Sequence, residues 1–275
     1  MTDKNLKDIW STPKYLPYVQ PALTEKVIKE AETKMGYKLP KEYLELLTIQ
    51  NGGYIRYTIE DTPHSQISGI GPYYPSITNF EWLKEYEGLS YEIDGLFPFD
   101  GDGHWNICLD YRKNKMEPEV TYIDTEIDFE KPIAKNFKEY IDKLIIETEN
   151  EYVIETNASI EETLKLISTV ISSEFGQPDL FAHGYPIYSN NYKDNWIWIS
   201  PNKVPSGFIR QGEDRYEELK GQMEFQSLRF PELKDNFILI TFSDTEQKEE
   251  LISRLTDKEL IVKELKEYLN KSPNR

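Results

Sequence analysis

The chain has 275 residues, with 32 basic side chains against 49 acidic ones and a formal charge of −17 at neutral pH. A field of that sign repels nucleic-acid phosphates and anionic lipid and speeds encounter with basic partners, which argues against DNA, RNA or membrane-surface binding. The length suits two domains, each able to bury a core without staples, and the single cysteine, Cys108, forbids an intramolecular disulfide.

The opening twenty residues lack the apolar stretch of a secretory signal, and no apolar run approaches the roughly 18 residues of a membrane span. The expectation is a soluble, cytoplasmic protein. With 19 Tyr and 5 Trp, disorder is a poor reading. No internal repeat or low-complexity tract interrupts the chain, and the acidic stretch from Glu147 to Glu151 marks the expected division near 150.

In chain order, Thr24 is placed to cap a helix, with Leu23 and Ile28 as a hydrophobic staple. Val27, Ala31 and Met35 recur on one face, and Gly36 stands where a left-handed cap belongs. A second helix opens at Leu39-Pro40, carries Tyr43, Leu44 and Leu47 inward, and stops at Asn51-Gly52-Gly53, before an expected strand over 53–57. A loop rich in Pro, Gly and Tyr leads to Leu96-Phe97-Pro98-Phe99 and an expected turn at Asp100-Gly101-Asp102-Gly103. In the strand from Trp105 to Tyr111, Trp105, Ile107 and Leu109 alternate with Asn106, Cys108 and Asp110, and Val120–Ile123 reads as its antiparallel neighbour. Ile133, Phe137, Ile141 and Leu144 form the apolar stripe of a closing helix.

The second half starts with a strand at Tyr152–Ile154 and a helix opened by a capping box, Ser159 and Glu162, with Ile160, Leu164, Ile167 and Ile171 inward. Trp196–Ile199 reads as a strand apolar on both faces and Phe237–Phe242 as another. Two further helices are expected near 244–254 and 257–269, with capping boxes at Ser243/Glu246 and Thr256/Glu259. The expected fold class is α+β, with a mostly antiparallel sheet flanked by helices over 1–150 and a second, smaller α+β domain over 151–275.

Three blocks of the first half resemble the SUKH (Smi/Knr-like) superfamily. Leu23 to Gly53 is similar to its helix, Gly-x-x-Leu-Pro, helix, Asn-Gly-Gly signature, here Gly36, Leu39-Pro40 and Asn51-Gly52-Gly53. Phe97 to Asp110 resembles its Gly-rich turn and strand ending in Asp, departing at His104-Trp105, where many members carry a small or acidic residue. Pro132 to Ile141 is similar to its closing helix, and the resemblance spans about residues 20 to 146. It implies a non-catalytic protein-binding domain. Many members are immunity proteins that neutralise toxin domains, often nucleases, and fungal members act as regulatory scaffolds for signalling and cell-wall synthesis. The matching residues look structural, and none is carried over as a binding site.

The residues themselves offer little catalytic chemistry. The histidines are His64, His104 and His183, and no nucleophile elbow, phosphate-binding loop or His-Glu-x-x-His occurs. Cys108 sits mid-strand as a small hydrophobe. Asp100-x-Asp102-x-x-x-Asn106 loosely resembles a calcium loop, but no glutamate stands at the twelfth position, and Asp-Gly is foremost a hairpin turn signal. No catalytic residue, metal or cofactor is expected.

Eleven acids between Glu92 and Glu130 face only Arg112, Lys113 and Lys115, a local balance of −8. On a hairpin-rich sheet they can form one face that mimics phosphates towards a basic toxin domain; an ordinary solvated surface accounts for them equally well. The loop Gly71-Pro72-Tyr73-Tyr74-Pro75 together with Trp82 offers aromatic anchors, although a loop packed over the core has the better claim. The candidate contact residues are Tyr73, Tyr74, Asp100, Asp102, His104, Trp105, Asp124, Glu126 and Asp128.

Overall fold

The computed structural model describes residues 5–243 and 247–269. The chain divides between Glu147 and Thr148 into two compact units. Among the described residues no helix is long and apolar enough to cross a membrane.

In the first unit, helix α1 (Glu25–Met35) starts where Thr24 Oγ1 accepts the Val27 N–H at 3.3 Å, and Gly36, at φ +80°, ends it. Ala31 and Met35 face the core. Helix α2 (Lys41–Ile49) follows Pro40 and buries Tyr43, Leu46 and Leu47; Leu44 only borders the core. Beyond it, the strand expected over 53–57 is two residues long. β1 (Gly53–Tyr54) pairs with β2 (Gln66–Ile67), after which the Arg56 N–H turns away to the Ile9 carbonyl and the ladder breaks.

The main sheet is antiparallel, in the order β3 (Leu96–Gly101), β4 (Trp105–Asp110), β5 (Glu119–Asp124), β6 (Phe129–Ala134). β3 takes in Asp100 and Gly101 through an irregularity after Pro98, so the turn is shorter than the expected Asp100–Gly103. β4 is buried on both faces after Trp105. Ile107 and Leu109 join the helix-covered core, while Cys108 packs with Leu83, Tyr91, Leu96 and Ile123 on the other side. β6 has no strand signal in its sequence, yet it claims Ile133, which therefore belongs to the sheet. The closing helix α3 (Phe137–Lys143) begins only after Asn136, whose Oδ1 accepts the Glu139 N–H. Helices over a mostly antiparallel sheet make this an α+β fold.

The second unit is also α+β. Its antiparallel sheet runs β13 (Ile261–Glu264), β7 (Glu151–Glu155), β12 (Ile238–Phe242), β9 (Asn195–Pro201), β8 (Tyr188–Tyr192), with a separate pair, β10 (Lys203–Pro205) and β11 (Gln226–Leu228). Helix α4 (Ile160–Ile171) opens with the Ser159/Glu162 box, and it packs with α5 (Lys248–Thr256) over one sheet face through Leu164, Ile167, Leu251 and Leu255. Three expectations fail here. Trp196 is 50% exposed, so its strand alternates instead of being buried on both faces. The helix expected over 257–269 is a turn with Glu259 at φ +65°, then β13 and a short helix, because 261–264 completes the sheet edge against β7. Thr256 closes α5, donating its hydroxyl to the Ile252 carbonyl, so it cannot cap a following helix. Glu246 of the other proposed box lies outside the described residues, and Ser243 Oγ accepts the Trp196 N–H.

The Asn51-Gly52-Gly53 turn gives a sharp test. Gly52 sits at φ +91°, and a Cβ there would meet the Gly69 nitrogen at 2.5 Å, whereas a Cβ on Gly36 meets nothing within 4 Å. Gly36→Ala is expected to cost only the left-handed penalty of about 1–2 kcal/mol. Gly52→Ala must cost more, because the loop around Gly69 has to move as well. Urea unfolding of both variants checks the order.

Candidate protein-binding surface

The turn between β4 and its predecessor and the turn between β5 and β6 adjoin at one end of the main sheet. Trp105 stands opposite Asp124 in the ladder, the Thr125 N–H and hydroxyl both donate to the His104 carbonyl, and His104 Nδ1 lies 2.8 Å from a Glu126 carboxylate oxygen. Each tip is shaped by an aspartate. Asp102 Oδ1 accepts the His104 and Trp105 N–H groups, and Asp124 Oδ1 accepts those of Glu126 and Ile127. Slight burial opposes ionisation of Asp102, but the Trp105 and His104 N–H groups outweigh it and hold the carboxyl below its ordinary range. Asp128 occupies a left-handed position at φ +50° and accepts from the Ser90 N–H and hydroxyl, which binds the 81–90 segment to the same end.

Beside these carboxylates runs an aromatic ladder that crosses three strands. The rings of Trp105 and Tyr122 stack at 6.2 Å, and Tyr122 meets Phe129 at 6.4 Å. Trp105 and Tyr122 rest against the core, while Phe129 is 45% exposed and Ile127 71%. Burial, and next the charge of Asp124, push the Tyr122 phenol up, so it stays a neutral donor, here towards Asp124 Oδ2. Phe129 escaped the sequence reading because β6 did, and a hairpin across 124–129 was the signal that would have placed it; Tyr122 lay in the strand read over Val120–Ile123 but was not singled out as a contact.

On the other side of the Asp102 turn lies a cleft of about 270 Å³, walled by Tyr74, Trp82 and Pro98 and floored by Ser68, Ser76 and Asn106. Tyr74, 63% exposed, and Asp102 thus meet there. Tyr73 is half-buried, its backbone N–H and carbonyl both bonded to Gln20. Asn106, weighed in the sequence only as a member of a calcium-like loop and not as a contact residue, is 2% exposed, and its Nδ2 has no hydrogen-bond partner.

Asp100 departs from the expected contact set because it is internal, 3% exposed. Its Oδ2 lies 2.5 Å from His64 Nδ1 and accepts the Ser65 and Gln66 N–H groups, and His64 Nε2 meets the Tyr140 hydroxyl. A carboxylate so engaged has no capacity left for a partner. The same holds elsewhere in the acidic stretch, so the eleven acids do not form one face. Asp110 is buried against Arg112, which also reaches Glu130, and Glu119 pairs with Lys113. Among the described residues no group of three His, Cys, Asp or Glu is arranged to hold a metal. Burial, then the charge of Asp110, push the Cys108 thiol well above its ordinary value, so it offers no thiolate nucleophile at neutral pH.

Asp110 yields a pH prediction. Burial opposes its ionisation, but the Arg112 bonds and the Thr121 hydroxyl outweigh it and lower its pKa. Its stabilising contribution is therefore present above the unfolded carboxyl value of about 3.9 and is lost as pH falls through the lower folded value. Asp110→Asn is expected to be less stable than the native chain at pH 7, with the gap narrowing below about pH 4; denaturant unfolding across that range measures it.

Residues 22–143 match the model of the SMI1 / KNR4 family (SUKH-1), and the match lies wholly in the first unit. No curated protein matches the chain.

Proposed function

With residues 22–143 forming a SUKH domain, we propose that the chain is a non-catalytic immunity protein that neutralises a basic, nuclease-type toxin domain by binding it. The juxtaposition of Asp102, Asp124, Glu126 and Asp128 with the Trp105, Tyr122 and Phe129 ladder carries this reading. Such a surface combines what a protein interface uses: aromatic area that gains by desolvation and a charged border that steers the encounter. A nuclease active site is basic because it holds phosphates, so carboxylates at two hairpin tips match its charge, and the aromatic rings supply contact area that phosphates lack. The net charge of −17 works in the same direction at long range.

Co-expression with a panel of basic, nuclease-type toxin domains, any encoded beside this gene first, scored by survival and by co-purification, tests the proposal; survival with one of them is the expected result. Killing by every such candidate despite soluble immunity protein would overturn it. For the protecting pair, the triple variant Asp124→Asn, Glu126→Gln, Asp128→Asn keeps the turn acceptors and removes the charge. Its association rate is expected to fall about tenfold at low salt, with little change in dissociation. Stopped-flow binding at two ionic strengths reads both.

A further inference from the structure

The cleft beside the Asp102 turn joins a donor, an anion and two aromatic walls; it shares Asp102 with the proposed ladder contact, which uses neither Asn106 nor Tyr74 nor Trp82. We propose that it receives an arginine residue of a bound polypeptide, with the guanidinium held between Tyr74, Trp82 and the Asp102 carboxylate and the main-chain carbonyl of the same residue on Asn106 Nδ2. This rests on the protein-binding reading above and names the chemistry of one contact within it.

The argument starts from Asn106. Buried amide nitrogens almost always have a partner, so a 2% exposed Asn106 with none at Nδ2, lining a cleft, calls for an acceptor from outside the chain. Gly101 makes room for the amide: a Cβ there would meet its Oδ1 at 2.2 Å and the Trp105 carbonyl oxygen at 2.4 Å. The rim carries the opposite requirement. Asp102 is exposed, and the two N–H groups that shape its turn bond Oδ1 alone. A guest must therefore bring an acceptor to the floor and a cation to the rim. A free anion meets Asp102, and a simple amine leaves Asn106 unanswered. A peptide residue with a basic side chain satisfies both, and of the two basic residues arginine also stacks a planar face on aromatic walls and pairs with a carboxylate through two parallel bonds. The size agrees. About 270 Å³ is below the roughly 300–1,000 Å³ of sites that enclose a drug-sized ligand, and suits one residue better than a cofactor.

The test uses the full chain, labelled with 15N, and three blocked tripeptides, acetyl-Gly-X-Gly-amide with X as arginine, citrulline or glutamate. The side-chain amide of Asn106 and the indole N–H of Trp82 are followed by NMR. The arginine peptide is expected to move both signals saturably, in the millimolar range. Citrulline, which keeps the shape without the charge, and Asp102→Asn, which keeps the turn acceptor, should each weaken binding by about threefold or more, and the glutamate peptide should move neither signal. An Asn106 amide that stays still, equal responses to arginine and glutamate, or unchanged affinity in Asp102→Asn would each overturn the proposal. Protection in the co-expression assay together with a silent titration removes the arginine contact and leaves immunity standing. A saturable titration without protection does the reverse.

Discussion

Two side-chain amides hold the first unit's loop layer to its helices. A loop laid over a core carries backbone N–H and carbonyl groups that water no longer reaches, and each needs a partner. Asn51 supplies three: Nδ2 donates to the Pro21 and Ile70 carbonyls, and Oδ1 accepts the Ile70 N–H. Gln20 does the same for the next turn, donating to the Tyr73 and Pro75 carbonyls and accepting from the Tyr73 N–H. The Tyr43 hydroxyl adds the Ser68 carbonyl. With its backbone satisfied from beneath, the 68–76 loop can turn Tyr74 outward as a fixed wall of the cleft. Gly52 of the signature and Gly69 of the loop serve the same end, since their backbones approach too closely for side chains.

The acidic stretch divides by role under the same logic. Asp100 and Asp110 are internal, each satisfied by several donors, and they fasten strands β3 and β4 to the 64–66 segment and to Arg112. The carboxylates of the two adjoining hairpin tips, Asp102, Glu126 and Asp128, are exposed. Charge counting cannot separate the two groups, because a buried Asp and an exposed one contribute equally to a sum over sequence. What distinguishes them is burial: Asp100 and Asp110 are 3% and 2% exposed, whereas Asp102 and Asp128 are exposed although N–H donors converge on them too.

The helices of both units were legible where their ends are chemically marked: Thr24 with Gly36, and Ser159 with Glu162. Strands were legible where apolar residues cluster, as in β4, β5 and β12. The failures share a cause. β6 reads Phe-Glu-Lys-Pro-Ile-Ala and β13 reads Ile-Val-Lys-Glu, edge strands whose membership is decided by pairing with β5 and β7, not by their own composition. Losing β6 hid Tyr122 and Phe129 as neighbours. Asn106 was hidden for a different reason: its unsatisfied amide is a property of packing around Gly101, and nothing in the local pattern of a strand announces it.

The outer strand β6 also constrains how another chain can approach. Pro132 has no N–H to offer, the Ile133 carbonyl already accepts the Lys143 ammonium at 2.6 Å, and Glu130 and Lys131 flank them with charge. A sheet margin so disarmed is a poor template for a foreign strand, which guards against edge-to-edge polymerisation. Recognition by β-augmentation is closed along β6. Whatever docks at this end of the sheet has to do so through side chains, and its selectivity is written in shape and charge, not in a shared backbone ladder.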